Sequence, residues 1–185
     1  GMAFVYHGSA FGLSTTADWT SESNQASAYY GGTVATAGDV NGDGYSDVII
    51  GASSYDDGED GEGKAFLYYG SADGLSTTSD WTCEPDQTGA ALGFSVSTAG
   101  DVNGDGYADV IVGALYYDNG ESNEGAAFVY HGSASGLSAT ADWTSESNQE
   151  STWFGFVDSA GDVNNDGYSD VIVGAMWYDN GEDNE

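Results

Sequence analysis

Nine aspartates and three asparagines of this chain fall into three copies of one pattern, D-x-N-x-D-G-x-x-D. Calcium is a hard cation that takes roughly six to eight oxygen ligands, and oxygens at alternate positions of a tight loop can surround one such ion. The glycine at position 6 permits the sharp turn, and the carbonyl of position 7 can add a ligand. The predicted ligands of about three Ca²⁺ per chain are Asp39, Asn41, Asp43, Tyr45 (carbonyl) and Asp47; Asp101, Asn103, Asp105, Tyr107 (carbonyl) and Asp109; and Asp162, Asn164, Asp166, Tyr168 (carbonyl) and Asp170.

The pattern differs from an EF-hand loop at its end. An EF-hand needs a bidentate Glu at position 12 and flanking helices, whereas position 12 here is Ile50, Val112 or Val173, each in an apolar run. Position 9 must then supply the last carboxylate. Magnesium fits less well, because it tends to keep its waters. The remaining alternative is a set of metal-free Asx-type turns, and three copies that share the same three Asp and one Asn favour calcium over it.

The composition of the chain limits the classes of function that these loops could have. The 185 residues include 31 Asp and Glu but only one Lys or Arg, Lys64, so the formal net charge is −30 with His neutral. Such a chain lacks the cations that bind nucleic-acid phosphates or anionic membranes, and it has neither a bilayer-spanning apolar run nor a recognisable signal peptide. Hydrophobic residues at 39% and aromatics at 14% argue against disorder. Its one cysteine, Cys83, excludes an internal disulfide.

The loops belong to a repeat of about 62 residues that accounts for the whole chain. The loop motif recurs after 62 and then 61 residues, and a second marker, F-[VL]-Y-[HY]-G-S-A, recurs every 62 residues. This spacing predicts a single array with repeats at approximately 1–62, 63–124 and 125–185. Placing Glu185 before Gly1 would continue the repeat without a gap, so the sequence could be written on a ring.

Each repeat is predicted to contain four short strands. In the first two repeats they are represented by the β-branched run 47–50, the aromatic run 4–7, the Trp-containing segment 18–20 and the segment 93–97 that precedes the loop. Four short strands per unit with recurring aromatics are typical of a propeller blade, whereas a parallel β-helix uses much shorter units. The predicted fold is all-β, a β-propeller with three four-stranded blades per chain.

The repeats resemble the FG-GAP repeats of integrin α-subunit propellers and of bacterial integrin-like surface proteins. The FG element appears as Phe154-Gly155 and, altered, as Tyr30-Gly31 and Leu92-Gly93; the GAP element keeps Gly-Ala without Pro, as Gly51-Ala52, Gly113-Ala114 and Gly174-Ala175. The resemblance implies that each Asp-rich loop is a calcium-binding β-hairpin joining the two inner strands of a blade. It also implies a non-catalytic module for recognition or adhesion, outside the cell or on its surface.

Other residues leave alternative functions open. His7 and His131 align with Tyr69, so no catalytic histidine is predicted. The acidic turns at 56–60 and 179–183 are either solvated loops or a second, weaker cation site. Five tryptophans either fill gaps between blades or form a sugar-stacking surface: Trp19, Trp81, Trp143, Trp153 and Trp177. The alternatives are therefore a glycan-binding lectin-type propeller or an accessory domain of a secreted hydrolase or lyase; the chain could also be an excised or engineered propeller fragment.

Three blades are too few to close a propeller, which usually has roughly four to eight. The strand order that the resemblance implies makes residues near 3–22 outer strands of a blade and residues near 153–178 inner strands. We therefore expect a head-to-tail homo-oligomer in which the N-terminal outer strands complete the C-terminal blade of a neighbouring chain. Two chains would give six blades, which is favoured, and three would give nine. A protein or glycan could bind such a ring, whereas nucleic acid and membrane insertion are not expected.

Overall fold

A computed structural model describes residues 1–181 of the chain. Its strands are β1 (Met2–Val5), β2 (Gly8–Ser9), β3 (Gly12–Leu13), β4 (Trp19–Glu22), β5 (Thr33–Gly38), β6 (Asp47–Ala52), β7 (Lys64–Tyr68), β8 (Trp81–Cys83), β9 (Leu92–Gly100), β10 (Asp109–Ala114), β11 (Ala126–Tyr130), β12 (Trp143–Glu146), β13 (Phe154–Gly161) and β14 (Asp170–Ala175). Within these residues, the structure has no helix long and apolar enough to cross a bilayer. The end of the second acidic turn (182–183) and Glu185 lie outside the described residues.

Two sheets have four antiparallel strands each, in the orders β5-β6-β7-β8 and β9-β10-β11-β12. Their registers coincide after the 62-residue shift, since Ile49 pairs with Leu67 in the first sheet and Ile111 with Val129 in the second. The second strand of each sheet is buried on both faces, which explains its continuous β-branched sequence. The predicted all-β fold of four-stranded blades is confirmed; we call these sheets blade A and blade B.

The other strands form separate two-stranded sheets at the two ends of the described chain. β13 pairs with β14, and these strands are the counterparts of the two inner strands of a blade. β1 pairs with β4, and these are the counterparts of the two outer strands. A short hairpin of β2 and β3 adjoins β1. Residues 1–181 therefore contain two complete blades and two halves.

The largest buried apolar cluster lies between blades A and B. Blade A contributes Val40, Ile49 and Leu67, and blade B contributes Val112 from β10. Fully burying one such aliphatic side chain stabilises a fold by about 1.5–3 kcal/mol, so contact between blades is a main source of stability. Cys83 belongs to this cluster, and burial raises the pKa of its thiol to about 12.

Glycines of the FG and GAP elements lie where neighbouring sheets approach most closely. A Cβ on Gly113 would lie 1.8 Å from the carbonyl oxygen of Gly155, and a Cβ on Gly51 would lie 1.9 Å from that of Gly93. No side chain fits at such distances. These glycines therefore let the backbone of one blade touch the backbone of the next.

Candidate metal centres in the repeat loops

Each Asp-rich loop connects the two inner strands of a sheet. The loops join β5 to β6, β9 to β10 and β13 to β14, and position 9 is the first residue of the second strand in every case. This is the hairpin placement that the family resemblance implies. The three predicted sites therefore have equivalent positions in the fold.

The position-1 carboxylate organises each loop by accepting backbone N–H groups. Asp39 accepts from Gly42, Asp43 and Gly44 at 2.7, 3.1 and 2.8 Å. The second loop repeats all three bonds around Asp101, and the third keeps two of them around Asp162. The side chain at position 1 therefore winds the following five residues into a compact turn.

The side chains at loop positions 3 and 5 also accept backbone N–H groups of their own loop. The Asn41 Oδ1 atom accepts the N–H of Asp43 at 2.9 Å, and the Asp43 Oδ1 atom accepts the N–H of Tyr45 at 2.9 Å. Corresponding bonds occur in the other two loops. The position-6 glycines have φ of 90°, 91° and 94°, a left-handed conformation that suits glycine. The oxygen-bearing side chains are thus held in a repeated loop conformation.

The position-9 carboxylate is deeply buried in blades A and B. Asp47 has no exposed surface, and its oxygens accept the N–H groups of Val40 at 2.9 Å and Gly70 at 2.8 Å. Asp109 is equally buried and makes the equivalent bonds. Burial raises the pKa of Asp47; the two N–H donors oppose this, and the nearby charges of loop positions 5 and 1 add to it.

The ligand set remains a prediction. Within residues 1–181, no group of three or more His, Cys, Asp or Glu side chains converges in a way that could hold a metal ion. The position-9 carboxylates of blades A and B each accept two backbone N–H groups. An ionised carboxylate has about four acceptor sites, so each could still make a further contact. The donor chemistry therefore fits a hard cation, while the convergence of all five ligands is not seen.

Contacts between neighbouring loops were not predicted from the sequence. The Ala108 N–H donates to the Asp39 carbonyl at 3.0 Å, and the Ser169 N–H to the Asp101 carbonyl at 2.8 Å. A Cβ on Gly42 would lie 2.6 Å from the ring of Tyr107, so the position-7 tyrosine of one blade covers position 4 of the previous loop. The signal that could have revealed this contact is Gly at position 4 of the first two loops together with Tyr at position 7 of the loop that follows each of them.

A buried glutamate closes the acidic turn at 56–60 and its counterpart at 118–122, a role that was not predicted from the sequence. Glu62 is fully buried, and its Oε1 atom accepts the N–H groups of Asp57 at 2.7 Å and Glu59 at 3.4 Å. Glu124 does the same in the next turn. Asp57 also contacts Lys64. Asp57 of the first turn thus binds the chain's own lysine. The Oε2 atoms of Glu62 and Glu124 are buried and have no hydrogen-bond partner within residues 1–181.

The histidines and most tryptophans have structural contacts. The main-chain N–H of His7 and that of Tyr69 donate to equivalent aspartates at 2.7 and 2.8 Å, so the imidazole is not needed for this bond. Trp19 and Trp81 pack edge-on against a tyrosine of the adjoining blade, with ring centroids 4.9 Å apart. Trp153 and Trp177 contact each other, with centroids 6.1 Å apart. Packing between blades therefore accounts for Trp19 and Trp81.

The family model for the FG-GAP repeat matches residues 30–68, 92–130 and 154–185, and each match contains one Asp-rich loop. The chain belongs to the FG-GAP repeat family. This FG-GAP chain is 36% identical to integrin alpha-PS2 of Drosophila melanogaster over 84% of its length and 12% of that protein. It is 34% identical to integrin alpha-V of Gallus gallus over 97% of its length and 17% of that protein.

A third relative is integrin alpha-6 of Homo sapiens, which is 33% identical over 75% of the chain. The FG-GAP chain spans only 12% to 17% of the length of these three relatives. The predicted membership of an integrin α-like repeat family is thereby confirmed.

Proposed function

We propose that this FG-GAP chain is a non-catalytic, calcium-binding propeller module for recognition or adhesion, located outside the cell or on its surface. The observation that carries the proposal is the hydrogen-bonded loop conformation found three times around the Asp and Asn oxygens. The similarity to integrin alpha chains supports the recognition role.

The charge balance favours a bound cation. Lys64, the only Lys or Arg, is occupied by Asp57 and lies 3.8 Å from Glu84. The three loops must therefore accommodate their nine carboxylates without a basic side chain. Like charges packed within a few ångströms oppose folding, and each divalent ion would cancel two of the 30 net negative charges.

The chain's own residues define what the ion would do. When bound, calcium supplies a positive charge and a coordination centre for the loop oxygens. Asp39 and its equivalents hold the turn, and the left-handed glycines let the backbone reverse. Because neighbouring loops are hydrogen-bonded to each other, fixing one loop also fixes the next. The result would be a stable loop face that presents adjoining segments to a protein partner.

Thermal unfolding with calcium or with EDTA tests this proposal. A ligand that binds only the folded state at about 100 times its Kd stabilises it by about 2.7 kcal/mol per site. We expect millimolar calcium to raise the melting temperature well above its value in EDTA. We also expect the triple variant Asp43→Ala, Asp105→Ala, Asp166→Ala to lose this response, because each loop loses one carboxylate ligand.

A charge-matched variant is the control. Asp60, Asp73 and Glu150 are exposed, and their side chains make no hydrogen bond within residues 1–181. Changing all three to Ala removes the same number of negative charges, and the calcium response should remain. A wild-type melting temperature that is equal in calcium and EDTA would contradict the proposal, as would an unchanged response in the loop triple variant.

A further inference from the structure

We propose that the β1–β4 hairpin of one copy completes the blade begun by β13 and β14 of a second copy, so that two chains close a six-bladed ring. This inference goes beyond the proposed function. Its starting point is a difference in exposure: Ile172 of β14 is 59% exposed, whereas its counterparts Ile49 and Ile111 have no exposed surface. Phe4 of β1 is 53% exposed, whereas its counterpart Phe66 is 9% exposed.

The two exposed edges are complementary because the chain already contains their pairing twice. β6 pairs with β7 and β10 pairs with β11 in the same antiparallel register. Shifting this register by the repeat length places Ile172 opposite Val5 of the partner subunit, and Ala175 opposite Met2 of the partner subunit. Both edges would then be covered by main-chain hydrogen bonds. Uncovered strand edges promote uncontrolled association, so a specific closure is favoured.

Asp170 gives a second, independent match. Asp47 and Asp109 each accept one N–H from their own loop and one from the glycine just beyond the adjacent strand, Gly70 or Gly132. Asp170 is half-buried and accepts the N–H of its loop residue Val163 at 2.8 Å. The glycine that corresponds to Gly70 and Gly132 is Gly8. In the proposed ring, the partner's Gly8 would donate to Asp170.

An aromatic contact gives a third match. The same contact occurs on either side of blade A. Trp19 packs against Tyr68 and donates its indole N–H to the Ser76 carbonyl at 2.9 Å. Trp81 packs against Tyr130 and donates its indole N–H to the Ser138 carbonyl at 2.9 Å. The next tryptophan in this series, Trp143, is 43% exposed, and the first tyrosine, Tyr6, is 46% exposed. The ring brings Trp143 onto the partner's Tyr6 and the partner's Ser14.

One residue departs from the repeat at this junction. Gly42 and Gly104 each lie under the ring of the next position-7 tyrosine, whereas the third loop has Asn165 at this place. The partner's Tyr45 must therefore turn aside in the ring. Tyr45 is 44% exposed and is free to do so. Two copies give six blades, within the usual range of roughly four to eight, whereas three would give nine.

Gly174 permits a test that leaves the single chain intact. Its counterparts Gly51 and Gly113 touch the backbone of the next blade, but the nearest neighbour of a Cβ on Gly174 is Phe156 Cβ at 3.4 Å, an ordinary contact. In the ring, that Cβ would meet the carbonyl of the partner's Gly31. Light scattering of the full chain at micromolar concentration should give twice 19.1 kDa for the wild type. Gly174→Ala should give the single-chain mass with an unchanged β-sheet circular dichroism spectrum.

Phe11→Asp is the control variant. Phe11 is fully exposed on the β2–β3 hairpin and the equivalent residue in the next repeat is Asp73, so this variant should keep the wild-type mass. Ile172→Lys provides a second test, because Ile172 is exposed in the single chain whereas its counterparts in the completed blades are fully buried, where a lysine would bury an unpaired charge. Measuring every mass in EDTA as well as in calcium separates the assembly from metal binding.

A wild type that remains at 19.1 kDa would overturn the proposal. So would Gly174→Ala and Ile172→Lys variants that both retain the wild-type mass, or a mass that grows continuously with concentration, since that behaviour indicates an open chain. Three times the single-chain mass would support the composite blade but overturn the six-bladed closure.

Discussion

Asp47 and Asp109 connect two parts of a blade that are distant in sequence. Each carboxylate accepts an N–H from the Asp-rich loop and another from the segment that follows the third strand, 23 residues further along. Both acceptors are fully buried, so no water replaces them if they are lost. The aspartate at position 9 is therefore part of the blade's framework in the absence of metal.

Asp109→Ala should destabilise the chain even in EDTA. The change leaves the buried N–H groups of Val102 and Gly132 unsatisfied, and hydrogen bonds to a charged acceptor contribute about 1.5–3 kcal/mol each. We expect the free energy of unfolding, measured by urea denaturation, to fall by about 3–5 kcal/mol. Asp105→Ala is the comparison, because Asp105 is exposed. An equal, small loss for both variants would show that the buried bonds contribute little.

The sequence predicted the residue types of the loops better than their burial. Asp, Asn and Gly at fixed spacing are sufficient to predict a tight turn lined with oxygens, and the left-handed Gly44 confirms the turn. The burial of Asp47 and Glu62 could not be predicted in this way. Both depend on N–H groups and strands elsewhere in the fold, and carboxylates are mostly exposed in proteins.

At the scale of the elements, neighbouring blades meet through backbone as well as side chains. The GAP glycine of one blade lies against the FG glycine of the next, and blades A and B also share a buried apolar cluster. The strands themselves were predictable because their β-branched runs are bounded by glycines. The contact between these two glycines could not be predicted, since it depends on how one sheet is placed against another.

Gly113→Ala should weaken the packing of blade B against β13 and β14. The added methyl would lie 1.8 Å from the Gly155 carbonyl oxygen, so the two sheets must move apart. Overpacking of this kind typically costs about 1–3 kcal/mol, and more where backbone must shift. Chemical denaturation of Gly113→Ala and of Gly174→Ala below the concentration of any assembly gives a direct comparison. A loss for Gly174→Ala as large as for Gly113→Ala would contradict the backbone contact as the cause.

The whole molecule carries an unusually one-sided charge. With 31 acidic residues and one lysine, long-range repulsion opposes the compact state. The 62-residue period made the blade architecture predictable from sequence. With the strand order that the resemblance implies, it also placed half a blade at each end, near 3–22 and 153–178, which is where β1 pairs with β4 and β13 with β14.

In EDTA, the melting temperature should rise by several degrees when NaCl is increased from about 0.01 M to about 0.15 M. The Debye length then falls from about 30 Å to about 8 Å, which screens repulsion between distant carboxylates. Calorimetry with choline chloride in place of NaCl separates screening from Na⁺ binding in the loops. In calcium the rise should be smaller. A melting temperature that falls with added salt would indicate that attractive ion pairs dominate instead.

Cys83 gives the boundary between blades A and B a chemical reporter of its own. The thiol lies in the cluster between these blades, and burial raises its pKa to about 12. Alkylating reagents react with the thiolate, which is scarce at neutral pH when the pKa is this high, and the closed blades also block their access. Because the chain has only this cysteine, the rate at which it becomes alkylated measures how often these two blades separate.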